Sequence, residues 1–330
     1  MKHNVSSGTA LAMPAGPRLS RLGINLASRY GIVVAFIVLC TFLSIANEFF
    51  LTWGNWTNII RQTSINGMLA IGVTFVILTK GIDLSVGAVM ALAGAVGASL
   101  AITANSHDIV VVILAACAVG AALGAVNGIA VSKLALPPFV VTLGMLSVAR
   151  GITFIFTDGQ PIPNLSKPLL WLGSGTLLGI PVPIVLLAVV FGICWFVLRH
   201  TVFGRHIYAV GGSERSAATS GIKVPRIITL AYVISGLLAG LAGLLLTART
   251  TAALPQAGVS YELDAIAAVV IGGTSLSGGK GSLVGTLFGA LIIGTINNGL
   301  DLMGVSSYYQ QVIKGLIIVG AVLLDTSRRK

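Results

Sequence analysis

Charge is what this sequence has least of. Asp, Glu, Lys and Arg make up 9% of its 330 residues, against about 25% in soluble domains. So few ionic groups cannot cover a water-facing surface, which excludes a free-standing soluble domain. Cysteine is scarce as well. Cys40, Cys117 and Cys194 each stand alone in an apolar stretch, without metal-ligand spacing or an obvious mate. That excludes a disulfide framework and a thiolate metal site, and the three read as small hydrophobes. The four histidines, His3, His107, His200 and His206, fall in tails or loops and do not cluster with acids, which argues against a membrane-embedded enzyme. Basic runs interleaved with aromatics are missing. The net charge of +11 therefore does not indicate a nucleic-acid partner; it fits the Lys/Arg excess of cytoplasmic loops.

Apolar residues are what the chain has in quantity, at 55% of the total and a mean hydropathy of +0.98. Apolar stretches of roughly 17–22 residues recur, the length that crosses a hydrocarbon core of ~30 Å. They predict an all-α polytopic membrane protein of about ten transmembrane helices, at 30–46, 62–79, 84–103, 109–131, 138–156, 181–199, 227–247, 262–274, 283–299 and 307–324. The eighth is short enough to be a half-helix or a re-entrant segment buried against protein. Residues 1–29 read as a cytoplasmic tail, 30–326 as the transmembrane domain with a cytoplasmic loop at 200–226, and 327–330 as a basic C-terminal tail. Basic residues precede the first apolar run as in a signal peptide. That run is longer than a typical signal core and more spans follow, so it reads as a retained helix.

Basic residues set the orientation. With the N-terminus inside, Lys2, Arg18, Arg21, Arg29, Lys80, Lys133, Arg199, Arg205, Arg215, Lys223, Arg226, Lys280, Arg328, Arg329 and Lys330 are cytoplasmic, leaving Arg61, Arg150, Lys167, Arg249 and Lys314 outside or within spans. An even span count returns the C-terminus to the cytoplasm. Trp53, Trp56 and Trp171 lie at external loops, where interfacial Trp is expected. Glycine recurs at small-xxx-small spacing, as in Gly120 and Gly124, Gly236 and Gly240, and Gly285 and Gly289, which predicts close helix packing in lipid.

Several segments break the lipid-compatible pattern. Lys80-Gly81-Ile82-Asp83-Leu84-Ser85 separates two apolar stretches. It reads either as a plain cytoplasmic hairpin or as a broken helix facing a pathway, with Lys80 and Asp83 close enough to pair. Tyr261, Glu262 and Asp264 open the short eighth segment. The acids suit a helix N-terminus and equally an outer mouth. Residues 272–282 are rich in Gly and Ser and contain Gly279-Lys280. They fail the phosphate-binding pattern G-x-x-x-x-G-K-[ST], because Thr274 and Gly281 stand where it needs Gly and Ser/Thr. No other Walker-type sequence exists in the chain, so ATP, if it drives this protein, is hydrolysed by another subunit. In the loop 200–226, Ser213 is a good helix N-cap and Gly221 a good stop. A helix of about two turns carrying Glu214 and Arg215 suits docking into another protein. A loose echo relates residues 76–95 to 270–290, as repeats do in transporters and as chance does in a Gly/Ala/Leu-rich chain. Arg150 falls inside the fifth span, either as a functional group or snorkelling outward.

These segments carry a resemblance. Residues 261–281, from Tyr261-Glu262-Leu263-Asp264 to Gly279-Lys280-Gly281, resemble the signature of bacterial ABC sugar-importer permeases of the ribose type. Thr79-Lys80-Gly81-Ile82-Asp83-Leu84-Ser85-Val86-Gly87 resembles a second hallmark, and residues 204–222 a third. Asn297-Asn298-Gly299-Leu300 and residues 304–310 are similar to the ribose type in particular. The resemblance covers about residues 30–326 and omits the N-terminal tail.

The resemblance implies an inner-membrane complex of two permease copies, two ATP-binding subunits that hold ATP and Mg, and a periplasmic sugar-binding protein. The substrate would be ribose or a similar monosaccharide, and the chain itself would hold no cofactor or metal. It assigns Gly211, Gly212, Ser213, Glu214, Arg215, Ala217 and Gly221 to a coupling helix seated on the ATPase. A wet path lined by Gly, Ser, Thr and Asn suits a neutral polyol, and Thr274, Ser275, Ser277, Asn297 and Asn298 are candidates for its lining. Lys80, Asp83 and Ser85 are candidates for gating, and Tyr261, Glu262 and Asp264 for the periplasmic mouth. The competing reading is an ion-coupled secondary transporter, which needs buried carboxylates in mid-span. Asp83, Glu262 and Asp264 are its only candidates, and all lie near predicted span ends.

Overall fold

The structure, a computed structural model, describes residues 18–327. The ten apolar stretches become α1 (Arg18–Ala46), α2 (Trp53–Leu78), α3 (Val86–Leu100), α4 (Ile109–Ser132), α5 (Pro138–Thr157), α7 (Val182–His200), α10 (Val224–Thr250), α11 (Tyr261–Ile271), α12 (Leu283–Leu302) and α13 (Ser307–Ser327). Three helices lie between them: α6 (Lys167–Ser174), α8 (Val202–Gly212) and α9 (Glu214–Thr219). Six helices, α2, α4, α5, α7, α10 and α12, are long and apolar enough to cross a membrane, and the apolar part of α1 and α3 are shorter.

Several expectations change. α1 starts at Arg18, inside the segment read as tail, so residues 18–29 are helical; residues 1–17 and 328–330 lie outside the described residues. The all-α reading gains a small hairpin, Thr176–Leu177 paired antiparallel with Ile180–Pro181. α6 and α8 escape a hydropathy reading because neither is long enough to register as a span. α11 has 11 residues and spans about 16 Å, half the bilayer core, as the half-helix reading requires.

α2 is the centre of the molecule. Residues 63–78 are buried on every side, with α7, α8, α10, α11 and α12 packed around them. A helix that is apolar all round must be enclosed in this way. The outer helices present the opposite picture. Val110, Leu114, Val126, Phe139 and Ile155 of α4 and α5 are exposed. This exterior has lipid as its natural solvent.

Glycine sets the closest contacts. The most extensive interface joins α4 to α10. There a Cβ on Gly120 would overlap the Gly236 carbonyl, and one on Gly240 would overlap the Ala116 carbonyl. A Cβ on Gly289 of α12 would likewise overlap the Ala268 carbonyl of α11. These are the small-xxx-small pairs of the sequence, and they bring backbone against backbone, where dispersion drives helix association in lipid.

The two segments of the internal echo share a form. Each is a helix, a break of several residues, and a second helix: α2–α3 around residues 79–85 and α11–α12 around residues 272–282. The breaks lie at the same end of the bundle and touch, with the Gly279 N–H donating to the Leu78 carbonyl at 3.0 Å.

Candidate functional site

The first candidate site is a junction of three backbones. α2 ends at Leu78, and Thr79 closes it with a hydroxyl donating to the Val76 carbonyl at 2.8 Å. Lys80 then takes a left-handed conformation, φ 65°, which turns the chain into the break. The second break brings Gly279, φ 71°, against the end of α2. The C-terminus of α8 closes the triangle. A Cβ on Gly211 would overlap the Leu78 carbonyl and the Gly279 amide, so no other residue fits there without moving one of them. Lys80 Nζ donates to the Gly212 carbonyl at 3.5 Å, and the Tyr208 hydroxyl of α8 donates to the Gly281 carbonyl at 2.9 Å. Burial raises the Tyr208 phenol above its ordinary pKa, against a smaller opposing pull from Arg199, so it stays protonated and able to donate. An open depression of about 520 Å³ lies over the junction, lined by Lys80, Gly212, Ser277, Gly278 and Lys280.

α9 projects from this junction. Ser213 caps it, its hydroxyl accepting from the Ser216 N–H at 3.2 Å, and Gly221, φ 82°, follows its end. Ala217 is buried, whereas Glu214, Arg215, Ala218 and Thr219 are exposed. α9 thus rests on one apolar anchor and turns its polar face outward. The short capped helix read from Ser213 and Gly221 is present, and its rigid support is α8, which the sequence reading left out.

A buried polar network holds the first break from inside. Asp83 Oδ1 accepts from the Ser85 N–H at 3.0 Å and the Ser85 hydroxyl at 2.6 Å. Its Oδ2 accepts from Ser235 of α10 at 2.9 Å. Asn127 of α4 donates to Ser85 Oγ at 2.9 Å. The Ile82 carbonyl accepts from Tyr232 of α10 and from Thr142 of α5, each at 3.2 Å. The expected pairing of Lys80 with Asp83 does not form. Asp83 faces inward to hydroxyls, while Lys80 is exposed and faces α8. The reason is the left-handed turn at Lys80, which sends the two side chains to opposite sides of the break.

A second polar site lies at the opposite end of the bundle, between α2, α11, α12 and α13. Lys314 pairs with Asp264 Oδ2 at 2.9 Å, and Asn297 Nδ2 donates to the same oxygen at 3.2 Å. Gln310 donates to Asp301 Oδ1 at 2.8 Å. The cleft holds about 80 Å³, with Gln62, Asn66 and Tyr261 also on its wall.

The predicted site residues therefore separate into groups. Lys80, Ser277 and residues 211–221 meet at the junction with Ser275 beside them. Thr274 is buried beneath that loop, not open to a path. Asp264, Tyr261 and Asn297 share the opposite cleft. Asn298 does not join them: it is buried and exchanges hydrogen bonds with Asn55 at 3.0 and 2.7 Å. Glu262 packs beside Gly87 of α3. Arg150 donates to the carbonyls of Pro255 at 3.0 Å and Ala257 at 2.6 Å, so it pins the α10–α11 loop. Asn66, Gln310 and Lys314 were missed as site residues, although an ionisable residue in a span, as Lys314 is, was signal enough.

The family described as the permease component of branched-chain amino acid transport systems matches residues 55–322. The chain is 48% identical over 301 residues to the ribose import permease of Escherichia coli strain K12, covering 90% of this chain and 93% of the relative. It is 50% identical to that of Bacillus subtilis strain 168, covering 91% and 93%. The chain belongs to the ABC sugar permeases of the ribose family. A further permease of this kind, the D-allose permease of E. coli K12, is 44% identical over 88% of each chain. No solved structure matches. As a ribose-family permease with six membrane-length apolar helices, the chain is a multi-pass protein of the bacterial inner membrane and the permease subunit of a monosaccharide importer.

Proposed function

We propose that this chain forms the translocation path for D-ribose or a close monosaccharide, as one of two permease copies in the bilayer. Two ATPase subunits bind ATP and Mg²⁺ on the cytoplasmic side, and a periplasmic binding protein delivers the sugar. The chain has no catalytic role of its own. About ten helices cross or enter the membrane, with both termini cytoplasmic. The junction end is the cytoplasmic one, because Lys80, Lys133, Arg199, Arg205, Arg215 and Lys280 all lie there, and positive charge stays inside.

The observation that carries this reading is the contact of Gly211 with the end of α2 and with the second break at once. α9 is the coupling helix, with Gly211, Gly212, Ser213, Glu214, Arg215, Ala217 and Gly221 forming it and its support. Movement of α9 by the ATPase displaces α8, and α8 bears directly on the end of α2 and on the loop before α12. Nucleotide state then biases inward- and outward-facing arrangements through differential contacts alone. The path runs by Lys80, Ser275 and Ser277 at the cytoplasmic end and by Asn297 further out, while Asp83, Ser85, Thr274 and Asn298 are buried in the packing behind it. Tyr261, Glu262 and Asp264 stand near the periplasmic mouth. An ion-coupled carrier would use its buried acids for ions, but Asp83 is taken up by Ser85 and Ser235 and Asp264 by Lys314.

Gly211→Val tests this. The variant is expected to cut sugar uptake about tenfold or more in a reconstituted complex, because the added side chain must push α8 away from Leu78 and Gly279. Normal uptake together with normal stimulation of the ATPase by the binding protein would contradict the coupling role.

A further inference from the structure

The cleft between α2, α11, α12 and α13 contains buried acceptors without donors. Asn66, Asp264 and Asn297 are 4%, 5% and 6% exposed, and Oδ1 of each makes no hydrogen bond. The orientation of Asn297 is fixed. Its Nδ2 donates to Asp264 Oδ2, and a carboxylate only accepts, so its carbonyl is the end left over. A buried polar atom without a partner is destabilising, and three around one cleft of about 80 Å³ ask for a ligand that donates.

The chemistry of that ligand is narrow. Lys314 already balances Asp264, so the buried floor of the cleft offers no net charge to an ion, and Asp301 at the exposed rim accepts from Gln310. Its free valences are three acceptors, which match O–H groups. The volume is below the roughly 300–1,000 Å³ of a site that encloses a drug-sized molecule, so only one edge of a sugar enters. Half-buried Gln62, Tyr261 and Lys314 and exposed Asp301 form the rim, and the cleft lies at the end opposite the junction.

We propose that this cleft is the permease's own sugar subsite, in which Asn66, Asp264 and Asn297 accept hydrogen bonds from two or three hydroxyls along one edge of a monosaccharide. The inference rests on the importer reading above and adds that the permease, besides its binding protein, discriminates among sugars. The three acceptors are sealed in this arrangement, so a sugar reaches them as the cleft opens, and because helix packing sets their positions the spacing of its hydroxyls decides the fit.

The test uses the full complex of permease, ATPase and binding protein in liposomes. Uptake of D-ribose and D-allose is measured, each sugar at a concentration that saturates the binding protein. Asn66→Ser and Asn297→Ser are compared with wild type, and copurification of the ATPase reports assembly. Each variant is expected to change the ratio of the two uptake rates by about fivefold, the weight of one hydrogen bond. Ratios equal to wild type, whether both rates stay normal or fall together, overturn the subsite and leave the cleft holding water only. A wild-type complex that moves no monosaccharide overturns the importer reading instead, and the subsite with it.

Discussion

Asp83 and Asp264 are both buried acids, and their surroundings give them different duties. Asp83 makes no ion pair among the described residues; three hydrogen bonds from Ser85 and Ser235 hold it. Replacing it by Ala leaves those donors buried without an acceptor, at about 1–3 kcal/mol each. Asp83→Ala is therefore expected to lower the melting temperature of the detergent-solubilised protein measurably, and an unchanged melting temperature would show that the network is not structural. Asp264 has a cation. Lys314→Met would strand the carboxylate, and breaking a buried pair from one side costs about 3–5 kcal/mol. The double variant Lys314→Met/Asp264→Asn is expected to recover most of that loss, as a thermal double-mutant cycle would read. The sequence marked Asp83 and Asp264 as out of place in lipid. It could not show their partners, because Ser235 lies 152 residues from Asp83 and Lys314 lies 50 from Asp264. Only the packed fold brings them within reach.

At the scale of elements, glycine spacing proved the most readable signal. Gly120, Gly124, Gly236 and Gly240 stand at four-residue intervals on α4 and α10, and those helices meet along these stripes. Gly120→Leu would force the backbones apart along their largest interface. It is expected to abolish accumulation of folded protein in the membrane, whereas Gly144→Leu, at a position where an added Cβ meets nothing, leaves accumulation near normal. Quantitative membrane blots separate the two. The hairpin breaks were legible for a related reason, since Gly, Lys and Asp interrupt apolar runs only where water or protein receives them. α8 was not legible. Its 11 residues carry both Arg205 and His206 and fill part of what hydropathy reads as one polar loop, although its hydrophobic face, Ile207 and Val210, is buried. A search for amphipathic period within loops would have found it.

For the molecule as a whole, the decisive feature is that the two interrupted helix pairs, α2–α3 and α11–α12, meet at one end and leave a polar cleft at the other. The junction lies where α9 is exposed, and the cleft where sugar would arrive. A bundle whose two interrupted helix pairs meet under α9 can pass motion from a partner to a pathway without an energy source of its own. That division of labour is the central claim. It is tested most directly by sugar accumulation in liposomes containing the purified permease, with and without its ATPase and binding protein. ATP-dependent uptake of D-ribose by the complex, and none by the permease alone even under an imposed proton or sodium gradient, is the expected result. Gradient-driven accumulation by the permease alone would contradict it.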